Sequence, residues 1–131
     1  MEKQLNFQEW FLQSDYDLET AMDKRPFIAD KEKAHEIIAY MHTVLHRHGV
    51  PCNIALFGSF LHGNYHAESD LDIIIISEKF EGKGLLERLD LTMRAEEEVR
   101  VKYRVPMDVL KKSPQEYNDH NRKMFESKII I

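Results

Sequence analysis

The chain has 131 residues, 43% hydrophobic and 31% charged, the size and balance of one soluble globular domain. That suffices for one core and excludes a catalytic domain joined to a large separate substrate domain. With 23 acidic against 18 basic residues and a formal net charge of -5, the chain is no general clamp for nucleic acid, whose binding rests on cationic phosphate contacts.

The N-terminal MEKQLNFQEW lacks the apolar run of a signal peptide. Phe7, Trp10, Phe11, Leu18, Ala21 and Met22 then recur at helical spacing over residues 7–22. Arg25-Pro26 marks a break. Residues 1–30 are therefore expected to be a helical extension and residues 31–131 the domain. A second helix is predicted over about residues 31–48, with Ala34, Ile37, Ile38, Met41, Val44 and Leu45 on its apolar face and Gly49 as its stop. The only cysteine, Cys52, excludes an internal disulfide and a cysteine-rich zinc module, and a reducing cytoplasm is the expected home.

After Pro51 the texture changes. Asn53 to Phe57 reads as a short buried strand ended by Gly58-Ser59, with Ser59 expected to cap a short helix through about Tyr65. Leu71 to Ser77 is the strongest strand signal. Its Ile73–Ile76 run is apolar on both faces, as in a central strand, and is far too short to span a membrane. Glu81 to Gly84 is a loop. A charged helix is expected from about Leu85 to Arg100, with Leu85, Leu89 and Met93 inward and Glu96-Glu97-Glu98 as a solvated face. A third strand runs from about Arg104 to Leu110, with Pro106 at its start or on a free edge. Ser113-Pro114 reads as an N-cap followed by proline at the first helical position, opening a helix to about Lys128. Ile129 to Ile131 adds a last short strand. The order up to that strand is α-α-β-α-β-α-β-α, an α/β (α+β) domain with helices on a small mixed sheet.

The chemistry-bearing stretch is Leu56 to Ile76, LFGSFLHGNYHAESDLDIIII. Gly58 permits a tight turn and close approach of a phosphate. Ser59 adds a hydroxyl donor at a helix start, where free N–H groups attract anions. Ten residues later come Asp70 and Asp72. Side chains two apart on a strand share a face, and two carboxylates there repel unless a cation lies between them. Magnesium prefers carboxylate oxygens and nucleotide phosphates. Asp108, in VPMDVL, is a third carboxylate on a strand. Gly-Ser at a turn or Asp-x-Asp at a strand start is common by itself; the combination at this spacing is specific.

Gly58-Ser59, ten residues, then Asp70-Leu71-Asp72 resembles the GS-x10-D-x-D signature of the DNA polymerase β-like nucleotidyltransferase superfamily. Gly63, Ser69 and the short length look most like its minimal nucleotidyltransferases. The resemblance covers roughly residues 33–131, with Asp108 matching the third carboxylate. It implies a nucleotidyltransferase fold in which Asp70, Asp72 and Asp108 hold two Mg²⁺ ions (Mn²⁺ the alternative), while Gly58 and Ser59 hold the nucleotide phosphates. The implied reaction moves a nucleoside monophosphate, AMP from ATP by default, to a hydroxyl acceptor with release of pyrophosphate. One departure is plain: where many members carry a basic residue after Gly-Ser, this chain has Phe60-Leu61-His62.

Trp10, Asp17, Leu18 and Ala21 resemble the first helix of HEPN-type proteins, the habitual partners of minimal nucleotidyltransferases. This implies a HEPN-type toxin as partner and acceptor, with the present chain as its antitoxin. An ordinary packing helix is the simpler reading, and the Trp10-Phe11 stripe could equally serve a homodimer interface. Two other functions stay open: a non-enzymatic module acting by occlusion, and a small-molecule nucleotidyltransferase of the aminoglycoside-modifying kind. His62 and His66 could touch phosphate or acceptor, although exposed polar side chains are the blander reading. His42 and His46 have a spacing that can bind zinc, but no carboxylate is seen to converge on them. Cys52 reads as a buried free thiol.

Overall fold

A computed structural model describes residues 31–63, 70–123 and 126–131 of the chain. The N-terminal extension, and with it Trp10 and Phe11, lies outside the described residues, as does His66.

Helix α1 spans Lys31–Arg47 and buries the six apolar residues its spacing predicted, all at 1% exposure or less. Gly49 ends it with φ 83°. The Gly49 amide bonds the His46 carbonyl and the Val50 amide bonds that of Leu45. This is a Schellman closure, and it turns the chain back beside the helix. Strand β1 (Asn53–Phe57) follows. Next comes α2 (Ser59–His62), a single turn rather than the helix to Tyr65 that was expected. Gly58, not Ser59, is its N-cap, and no side chain caps it. Left-handed Gly63 closes it, and buried Phe60 ties it to the core.

Strand β2 (Leu71–Ile76) leads through a 3₁₀ turn at Glu78–Phe80 to helix α3 (Leu85–Tyr103). Strand β3 (Met107–Lys112), helix α4 (Pro114–Lys123) and strand β4 (Ser127–Ile129) complete the chain. Helix α4 starts as expected. The Ser113 hydroxyl accepts from the Glu116 amide, and the Glu116 carboxylate accepts from the Ser113 amide at 2.8 Å, a reciprocal capping box. It ends at Lys123, short of the expected Lys128.

The sheet is mixed, with order β3-β2-β1-β4. Strand β1 is antiparallel to β2 and β4, while β3 is parallel to β2. β2 is thus interior, as its unbroken isoleucines require, and Pro106 sits just ahead of an edge strand. Ile54, Leu56, Leu71, Ile73 and Ile75 pack on one face with the cores of α1 and α3. Ala55, Ile74 and Ile76 face the other way, against Tyr117 of α4.

Helix α3 departs from its predicted orientation. Leu85 and Met93 are 77% and 50% exposed, Leu89 is half-buried, and the buried positions are Thr92, Ala95, Glu96 and Val99. Polar partners select this stripe. Glu96 accepts from the Thr92 hydroxyl at 2.7 Å and pairs with Lys111 of β3 at 2.9 Å, both side chains under 10% exposed. Glu98 bonds Arg47 and Tyr40 of α1. Of the expected solvated run, only Glu97 is fully on the surface. No helix among the described residues is long and apolar enough to cross a membrane.

Candidate functional site

The geometry of the site follows from the register of three strands. Asp72, second residue of β2, is the Cα partner of Phe57 on β1 and of Asp108 on β3. Residues paired in register present their side chains to the same face. The two carboxylates therefore stand side by side, on the face that Ile74 and Ile76 share with Tyr117. Asp70 precedes β2 by one residue and is exposed, as is Asp108; Asp72 is half-buried. Burial raises Asp72 to about 6, and the Asp108 and Asp70 carboxylates push in the same direction. The site thus gathers negative charge around one partly desolvated acid.

Gly58 closes against this charge. Its φ of 75° and ψ of -153° lie in a region essentially reserved for glycine. A Cβ built there would overlap Asp72 Oδ2 and stand 3.0 Å from Asp72 Cγ. Backbone and carboxylate are therefore in contact, with room for nothing between them but hydrogen. Ser59 follows as the first residue of α2, whose turn closes on the Gly58 carbonyl through the amides of Leu61 and His62. All five residues singled out at this signature fall at one end of the sheet. Phe60 is buried in the main core, which accounts for an apolar residue where a basic one is common. His62 is exposed at the end of the turn; the reading of His66 beside it falls outside the described residues.

The profile of the nucleotidyltransferase domain matches residues 42–131. The chain belongs to that family. Among solved structures it is similar to a "putative nucleotidyltransferase" from Sulfolobus solfataricus, with 12% identity, coverage of 76% of this chain and 84% of that one, and a TM-score of 0.51. A second structure of the same description has 20% identity and a TM-score of 0.45, covering 72% of this chain and 92% of the other. No curated protein matches. The four-stranded mixed sheet packed by helices is the fold that the signature implied.

Nucleotidyltransferase domains generally use divalent metal and a nucleoside triphosphate. The donor set here fits a hard cation: three carboxylates, all oxygen, meeting at a raised acid. Among the described residues, the group of three metal-type side chains whose ligand atoms all lie within 4.8 Å of one another is His42, His46 and Cys52. Sequence spacing exposed the histidine pair but not Cys52 beside it, because that meeting depends on the Schellman turn. A cavity of about 890 Å³, lined in part by His46, Cys52, Ile76 and Tyr117, lies beside this trio, at the end of the sheet opposite the aspartates. Asn53 pairs Ile76 there, four residues along β2 from Asp72. The cavity is thus roughly 13 Å of strand away from the aspartates.

Proposed function

We propose that this domain transfers a nucleoside monophosphate, AMP from ATP, to a hydroxyl on a partner protein, with Asp70, Asp72 and Asp108 as the catalytic and metal-holding residues. The observation that carries the reading is the register pairing of Asp72 with Asp108 beside Gly58. It brings the Gly-Ser turn and the third carboxylate, far apart in sequence, to one strand end. Asp70 and Asp72 would bridge two Mg²⁺ ions, with Asp108 on the acceptor side. The ions, when bound, stabilise the attacking and leaving oxygens of the displacement. Asp108, exposed and at the edge strand, can accept the proton of an incoming hydroxyl. The Gly58 backbone and the Ser59 hydroxyl would hold the β- and γ-phosphates.

As an edge strand, β3 leaves the exposed Asp108 open to a hydroxyl that arrives from outside the domain. The family resemblance suggests a HEPN-type toxin. The test is incubation with α-labelled ATP, Mg²⁺ and the product of the neighbouring gene. Label should move to the partner, and Asp108→Asn should abolish transfer while the complex survives. Inhibition of the partner without ATP, equally strong in Asp108→Asn and with no label transferred, would replace this reading by occlusion. Labelling of an added aminoglycoside but not of the partner would replace it by small-molecule transfer.

A further inference from the structure

The two histidines on the last turns of α1 have no part in the aspartate site. His42 and His46 are four residues apart on one helix face, and their rings lie 4.2 Å apart between centroids. The Schellman turn at Gly49 then lays Cys52 against them. His42 Nε2 is 3.0 Å from the Cys52 carbonyl oxygen, and the Cys52 amide donates to His46 Nε2 at 3.3 Å. Two imidazoles and a thiol thus offer ligand atoms that all lie within 4.8 Å of one another. Tetrahedral zinc with bonds of about 2.0–2.3 Å separates its ligand atoms by about 3.3–3.8 Å, so the trio must draw in by about 1 Å and exchange the histidine bonds to the Cys52 backbone for the metal.

We propose that His42, His46 and Cys52 form a second metal site, built for zinc and independent of the aspartates. The ligand chemistry selects the ion. Imidazole and thiolate favour zinc strongly over magnesium, whereas the oxygen-only aspartates suit a hard cation. On binding, the Cys52 S–H bond breaks, sulfur bonds the metal and the proton passes to water. Both His46 and Cys52 line the 890 Å³ cavity, and through it water reaches the fourth position that three protein ligands leave open. With two ligands on α1 and one on the segment entering β1, the ion would clip the helix to the strand.

Titration of the chelator-cleaned full chain with Co²⁺ and then Zn²⁺ tests this. A near-ultraviolet sulfur-to-cobalt band should appear at one equivalent, and Zn²⁺ should displace it and raise Tm. Cys52→Ser should abolish the band. His46→Gln, at an exposed position that leaves the core intact, should weaken Zn²⁺ binding at least tenfold, with an unchanged far-ultraviolet spectrum. Asp72→Asn should bind Zn²⁺ as the parent does, so failure of the aspartate reading would leave this result standing. Absence of the band in the parent, or Zn²⁺ affinity unchanged in both Cys52→Ser and His46→Gln, overturns the proposal.

Discussion

Asp72 on β2 and Asp108 on β3 are register partners across two parallel strands, and the Asp108 carboxylate helps to hold the Asp72 acid near 6. Two acids side by side on one sheet face cost the empty fold free energy, which a bound cation recovers. Asp72→Asn removes that cost. The apo protein should gain on the order of 1 kcal/mol at neutral pH, the shift being discounted for solvent screening. The Tm increase that Mg²⁺ with ATP gives the parent by mass action should vanish in the variant. Thermal melts with and without Mg²⁺-ATP check both, and a parent-sized shift in Asp72→Asn would remove Asp72 from the metal site.

Gly58→Ala tests the approach of backbone to carboxylate. The added methyl meets Asp72 Oδ2 and Cγ, and the glycine-only conformation at φ 75° adds about 1–3 kcal/mol of strain. The variant should lose at least that much stability in denaturant titrations and should bind ATP weakly, because both Asp72 and the turn are displaced. Ser59→Ala keeps the backbone and loses one hydroxyl donor. Its ATP affinity should fall by only about 1 kcal/mol, the worth of one hydrogen bond. Equal losses in the two variants would contradict the division of labour.

Much of this arrangement could be read from the residues. The Ile73–Ile76 run has no polar position to give to solvent, so it had to be an interior strand. The Ser113-Pro114 start of α4 rests on a local hydrogen bond, which sequence encodes directly. The inward stripe of helix α3 is hidden from sequence for the opposite reason. It carries Arg88 and Glu96, whose partners Glu116 and Lys111 lie further along the chain, so apolar spacing points to Leu85 and Met93 instead. At the site, spacing of two placed Asp70 and Asp72 on one face. The pairing of Asp72 with Asp108 is a matter of strand register that only the folded sheet fixes.

Glu116 gives the fold a pH dependence of known sign. Its bonds to Arg88, at 2.6 Å and 3.1 Å, and to the Ser113 amide hold its acid at about 2, against the opposing effect of burial. A lowered acid contributes stability that is fully present above its unfolded value of 4.5 and lost as pH falls from there toward 2. The side chain is 44% exposed, so solvent screening keeps the contribution small. Melts of the parent and Glu116→Gln should differ most above pH 5 and converge as pH approaches 2. A gap that widens toward acid would show that another group controls the α3–α4 contact.

The Glu96–Lys111 pair joins α3 to the edge strand that carries Asp108. Both side chains are nearly inaccessible, at 4% and 8% exposure, so each charge depends on the other for the solvation it gave up. Removing one partner leaves an uncompensated buried charge, and Lys111→Met should cost about 3–5 kcal/mol. The Thr92 hydroxyl and Arg100, 3.6 Å from Glu96, place the loss toward the lower end of that range. The double variant Glu96→Leu with Lys111→Met removes both charges and should recover most of the loss, because apolar packing replaces a pair that roughly breaks even against desolvation. Urea titrations of the two singles and the double close a thermodynamic cycle. If the double variant is as unstable as the sum of the singles, the pair contributes through packing shape rather than mutual charge.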